Sequence, residues 1–361
     1  MSLEHVTERL AALVACDTQN PPRHITADAE IFAVCEAALP DGFDVRSWDH
    51  GDGHVSWLAV RGRPSVLFNV HLDTVPVGQG WTRDPLQLDV SDGRAYGRGA
   101  CDIKGAAAVL LELAAQGAEN LALLFTSDEE GAGGCCVERF LASGEGKRFR
   151  QVVVAEPTGC RAVLSHRGFL SVKTRFSGNP GHSSEARALS DNANHQMALW
   201  AAAALELARG LKTSAEDPGS CMNIGIVEGG TKSNVIAGHA FVHWSARLAP
   251  GSSSSEFLRA AKACAPAGAA VEWEVPFVGD PLPAGDADTS AAHEFCEAHA
   301  IETAPPVDFW TEAALFSGSG LPVFVLGPGD IRQAHVADEW VALEQLERAM
   351  NIYGQVVRND G

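Results

Sequence analysis

The sequence predicts an α/β protein with a mostly parallel central sheet flanked by helices, into which a smaller α+β domain with an antiparallel sheet is inserted. Three observations predict it. The first part of the chain alternates short apolar runs with a helical pattern, the rhythm of βαβ units. After Ser165 apolar residues fall at every second position, the mark of half-exposed antiparallel strands. A continuous apolar run returns at 322–326, late in a chain of 361 residues that is long enough for two cores.

The elements follow in order. Leu3, Val6, Leu10, Leu13 and Val14 stand at helical spacing, and with Glu4, Glu8 and Arg9 interrupting them no signal peptide is expected. Runs 65–70, 121–125 and 152–155 read as buried strands, with a buried helix over 105–115 between the first two. In the middle block 169–176 alternates, 192–211 reads as a long amphipathic helix, 241–248 alternates again and 271–278 is a further strand. Residues 279–288 are rich in Gly, Pro and Asp, which marks a crossing between domains. A buried strand at 322–326 and a closing helix at 343–357 complete the reading. The expected organisation is one domain built from 1–165 and 281–361, with 166–280 inserted.

Composition narrows the function. Hydrophobic residues at 46% and charged residues at 20% describe a globular chain. A formal charge of −19 repels nucleic acid and anionic lipid, so neither is expected as a partner. The longest apolar stretches, 106–111 and 201–205, are too short to span a bilayer. Nine cysteines, an odd number without a C-x-x-C pair, argue against a disulfide framework or a thiolate zinc site. Reduced thiols in a cytoplasmic protein are the expectation.

Parallel sheets bind ligands beyond the carboxyl ends of their strands, and acidic and histidine residues gather there. One strand runs into His71-Leu72-Asp73, the next into Asp128-Glu129-Glu130, and the third into Glu156-Pro157. Asp102 follows Gly97-Arg98-Gly99, and His335 follows the last strand. Each cluster alone has an ordinary reading: a surface turn, a solvated helix start, an exposed strand end, a helix N-cap at Asp102, a surface histidine at His335. Five on one rim favour a shared site.

Imidazole and carboxylate without thiolate suit a co-catalytic pair of divalent ions. One carboxylate must bridge, and each ion needs a histidine and an acidic ligand of its own. His71, Asp102 and Glu156 fit one ion; His335, Asp102 and Glu130 fit the other. Asp73, two residues from His71, is placed to take the imidazole's second N–H. Glu129 neighbours a ligand and suits a general base.

Segments 69–76, 96–105, 127–131, 154–158 and 327–341 together resemble the zinc aminoacylase and carboxypeptidase family, in order and over almost the whole chain. The resemblance implies the ligand roles just given, zinc as the metal with cobalt able to substitute, and an inserted lid domain that joins two copies of the chain. The turn 176–184 resembles the family's lid turn, which implies that His182 stabilises the oxyanion. Glu185-Ala186-Arg187 stands where the family usually has a proline. Gly229, Gly230 and Asn234 resemble a lid motif, while the near phosphate-loop at 225–233 lacks both the lysine position and the following helix. Lys232, Asn234 and Arg247 match substrate-facing lid positions. The last motif is closest to the acetylornithine deacetylase branch. It implies a small N-acyl amino acid as substrate, N-acetylcitrulline ahead of N-acetylornithine, with a dipeptide or carboxypeptidase substrate as the alternative. A non-catalytic metal-binding module is the remote one.

Overall fold

The computed structural model describes residues 2–131, 135–211 and 219–360. The chain forms two compact units, one of Met1–Ser165, Ala287–Pro306 and Thr311–Gly361, the other of His166–Asp286 and Val307–Trp310. The return thus lies at 287 rather than the expected 281. The reason is local: Leu282 and His166 exchange main-chain hydrogen bonds at 3.0 Å, and the Arg167 N–H donates to Val307 O at 3.2 Å.

The first unit opens with α1 (Leu3–Ala15) and α2 (Glu30–Ala37), followed by strands β1 (Asp44–Asp49), β2 (Val55–Arg61) and β3 (Val66–His71). Next come β4 (Asp89–Ser91), β5 (Arg94–Tyr96), α3 (Gly105–Ala115), β6 (Leu121–Thr126), α4 (Cys135–Ala142) and β7 (Gln151–Pro157). Every residue of β3, β6 and β7 is buried, which is why these strands read as continuous apolar runs. Helix α3 is apolar all round and buried from Gly105 to Ala114, as a helix inside a core must be. Its one carboxylate, Glu112, is buried and paired with Arg9 at 2.8 Å.

The second unit holds β8 (Gly168–Ser177), α5 (Ala193–Gly210), β9 (Cys221–Gly229), β10 (His239–Leu248), α6 (Ser254–Ala263) and β11 (Ala270–Gly279). Its strands form an antiparallel sheet in the order β11-β8-β10-β9. Residues alternate buried and half-exposed along β8 and β10, so one face carries the core. Trp200 of α5 anchors it, with ring centroids 5.6–5.8 Å from Trp244, Trp273 and Phe176. Each such pair adds about 0.5–1.5 kcal/mol beyond its buried area. The indole N–H groups of Trp200 and Trp244 donate to Ala261 O and Thr174 Oγ1, both at 2.9 Å, so neither is left bare.

The chain then returns to the first unit through α7 (Ser290–Ala298), α8 (Ala313–Gly318), β12 (Val323–Gly327), β13 (Trp340–Ala342) and α9 (Leu343–Asn359). The central sheet has the order β1-β2-β6-β3-β7-β12, parallel across β6, β3, β7 and β12 and antiparallel at β1 and β2. Gly327 lies against β7 so closely that a Cβ would stand 2.1 Å from Ala155 O. After α9, the Asp360 carboxylate accepts the N–H groups of Ser65 and Val66 at 2.9 and 3.0 Å and fastens the head of β3. No helix among the described residues is long and apolar enough to cross a membrane.

Candidate metal centre

The parallel strands deliver their carboxyl ends to one rim. His71 is the last residue of β3, Glu156 stands near the end of β7, and Glu129 and Glu130 follow β6 after Ser127 and Asp128. Asp102 occupies an irregular turn, Ala100–Lys104, with φ −123° and ψ 89°, and so is not the N-cap of α3. His335 follows the short turn Ile331–Gln333 beyond β12.

The side chains meet around Asp102. One carboxylate oxygen lies 3.2 Å from His71 Nε2 and the other 3.0 Å from His335 Nε2. Glu156 approaches His71 Nε2 at 3.4 Å, and Glu130 approaches His335 Nε2 at 2.9 Å. His71, Asp102 and Glu156 are buried, whereas the His335 side chain is 50% exposed, so the cluster opens to solvent on that side.

Burial opposes charge on His71, yet Glu156, Asp102 and Asp73 overcome it and hold the imidazole well above its usual pKa. Hydrogen bonds that His335 donates to Asp102 and Glu130 lift it to about 11. Burial raises Glu156 to about 7 against the pull of His71. Burial also raises Glu129 far above the ordinary range, and the nearby Glu130, Glu156 and Asp102 charges add to it. Asp102 alone is lowered, because its two imidazoles outweigh its burial.

The donor set fits divalent ions. Each oxygen of Asp102 faces a different imidazole, and each imidazole has a further carboxylate beside it. All donors are nitrogen or oxygen, the preference of zinc, cobalt or manganese in catalytic sites. The thiol of Cys101 turns away to Asp330 O at 3.4 Å.

Supporting groups position these side chains. The His71 Nδ1–H donates to the main-chain oxygen of Asp73 at 2.9 Å, and the Asp73 carboxylate stands farther off at 3.5 Å. The expected carboxylate–imidazole bond is thus chiefly a carbonyl one. The Asp73 carboxylate instead accepts from Glu129 N at 3.3 Å, Glu130 N at 2.9 Å and the Asn20 amide at 3.1 Å. It orients the acidic turn, not the ring alone. Glu339 was passed over in the sequence; it accepts from Cys101 N and Asp102 N at 3.0 and 3.1 Å and is paired with the buried Arg98. Glu312 is also buried, with Thr126 Oγ1 at 3.2 Å from its carboxyl. For Glu312 the signal was a lone charge inside an otherwise small or apolar stretch.

The remaining sequence candidates lie in the second unit. His182 is exposed, with its Nδ1 at 2.8 Å from Ser184 Oγ and its N–H donating to Glu185 at 2.7 Å. Arg187 bonds Glu185, Asn179 O and Pro180 O, so Glu185 and Arg187 staple the turn. Ser183 N donates to Asn234 O at 3.1 Å, which brings the exposed Lys232–Asn234 turn beside His182. Arg247 does not join them. It stacks on Phe169 at 4.0 Å near the far end of β10, eight residues or roughly 25 Å from His239 at strand rise.

The pattern of peptidase family M20/M25/M40 matches residues 67–359. The chain is 43% identical over 362 residues to N-acetyl-L-citrulline deacetylase of Xanthomonas campestris pv. campestris, covering 98% of each. It is 31% identical over 319 residues to acetylornithine deacetylase of Proteus mirabilis, covering 82% of this chain and 80% of that one. Among solved structures, aminopeptidase PepT from Bacillus cereus aligns with a TM-score of 0.75 at 19% identity, over 99% of this chain and 98% of that one. A metallo-carboxypeptidase from Sulfolobus solfataricus aligns at 0.70 and 17%, over 99% of each. The structural likenesses concern the fold.

Proposed function

The chain belongs to peptidase family M20/M25/M40 and is a metal-dependent hydrolase, and from that premise we propose that it removes the acetyl group of N-acetyl-L-citrulline, releasing acetate and L-citrulline. The carrying observation for the chemistry is Asp102 facing His71 with one oxygen and His335 with the other. The substrate rests on full-length similarity to a deacetylase of that specificity.

His71, Asp102 and Glu156 would hold one ion, and His335, Asp102 and Glu130 the other; zinc would suit the donors, and cobalt would substitute. When bound, the ions polarise the acyl carbonyl and ease deprotonation of water. Glu129 takes the proton from the attacking water and delivers it to the leaving amine as the C–N bond breaks. Asp73 fixes Glu129 and Glu130 through their N–H groups. His182 donates a hydrogen bond to the developing oxyanion, and Lys232, Asn234 and Arg247 meet the polar ends of the substrate.

We read the working form as a cytoplasmic homodimer joined through the second unit, in an arginine-producing pathway. The open edge of β9 supports the pairing, with Ile226 and Val227 46% and 53% exposed.

The test is amine release by the metal-reconstituted protein from N-acetyl-L-citrulline, N-acetyl-L-ornithine and a dipeptide. A strong preference for acetylcitrulline supports the assignment. Faster turnover of acetylornithine or the dipeptide moves the specificity to those substrates.

A further inference from the structure

A second group of unlike donors lies immediately upstream of Glu129. Asp128 is fully buried, and its Oδ2 accepts from His54 Nδ1 at 2.8 Å and from the Cys136 N–H at 2.9 Å. Its Oδ1 has no hydrogen-bond partner among the described residues. Donor atoms of His54, Asp128 and Cys136 all lie within 4.8 Å of one another. The surrounding backbone is tied together. Ser127 Oγ donates to Gly53 O at 2.7 Å and accepts from Val55 N at 2.8 Å, and Ser56 Oγ donates to Cys136 O at 3.2 Å. These bonds hold three segments of the chain in place. The His54 side chain is 20% exposed and is the route from solvent.

We propose that His54, Asp128 and Cys136 form a third metal site, for a borderline-soft divalent ion such as zinc or cobalt. Imidazole, carboxylate and thiolate together suit that class of ion, and the opening at His54 leaves a fourth position for solvent. A buried carboxylate oxygen without a partner is a standing cost that an ion removes. Burial and the Asp128 charge keep the Cys136 thiol protonated in the ion-free cluster. Binding therefore forms a metal–sulfur bond and releases that proton to solvent, so occupancy improves as pH rises. None of its three side chains serves the hydrolysis.

Sulfur separates this site from the neighbouring centre, whose donors are nitrogen and oxygen. The full-length protein, freed of metal, is titrated with Co2+ and followed by absorption and by metal content. The expected result is one further equivalent of cobalt with a thiolate-to-cobalt charge-transfer band. Both are lost in Cys136→Ser and in His54→Gln, while each variant keeps its hydrolytic activity at limiting metal. His54→Gln, at a partly exposed position, serves if Cys136→Ser fails to fold. Absence of the band in the unaltered protein, or its persistence in either variant, overturns the proposal.

Discussion

The carboxylate of Glu339 accepts the main-chain N–H of Asp102 at 3.1 Å across 237 residues of sequence, while its other oxygen is paired with Arg98. It fixes the backbone of the residue that faces both imidazoles. Glu339→Gln keeps the shape and removes the charge that balances the buried Arg98. Metal affinity is expected to fall about 10–100-fold. Chelator competition on the folded variant measures this, and unchanged affinity would remove Glu339 from the orienting role.

Glu129→Gln cannot accept a proton yet has the same volume. The turnover number should drop by about 10²–10⁴, with bound metal unchanged by elemental analysis. Loss of metal in step with activity would make Glu129 a ligand instead.

Protons and ions compete for the rim. In the ion-free state His335 titrates at about 11 and Glu156 at about 7, and ligation needs both deprotonated. Metal binding should therefore release protons into weakly buffered solution, and affinity should weaken on acidification from about pH 8 to about pH 6. An affinity flat across that range contradicts the ligand assignment.

Burial, reinforced by Asp128, raises the Glu312 carboxyl from its usual range to about 8. A folded-state pKa above the unfolded one means that the folded state binds the proton more tightly. The associated stability is present below the unfolded pKa, about 4.5, and is lost as pH rises through about 8. Glu312→Gln should flatten that decline, by on the order of a few kcal/mol at alkaline pH. Urea unfolding at mildly acidic and alkaline pH tests it, and identical slopes for the two proteins would refute it.

The rim was legible in the sequence because buried parallel strands announce themselves as apolar runs, and the polar residue ending each run must face the rim. His71, Glu130 and Glu156 were found in that way. Strand β2 was not, although it is buried almost throughout, because Ser56 interrupts its apolar run after one residue and Arg61 closes it. Glu339 escaped because its role is to bind a main-chain N–H, which leaves no trace in spacing. The grouping of Cys136 with His54 and Asp128 escaped for a related reason: three donors from three segments form no motif. For Asp73 the spacing located the neighbour of His71 but not the main-chain oxygen that makes the nearer contact, since residue spacing does not distinguish a carbonyl from a carboxylate.

The bonds from Asp360 to Ser65 and Val66 span 295 and 294 residues, and those from His335 to Glu130 span 205. Translation proceeds at about 5–20 residues per second, so roughly 10–40 s separate the emergence of Glu130 from that of His335. Through that interval the nascent chain displays its acidic rim without one imidazole and β3 without its fastening, while the residues of the second unit emerge. The centre is thus assembled late. A chain released before residue 335 has most of its strands but lacks His335, and on the ligand set proposed above it is expected to be inactive.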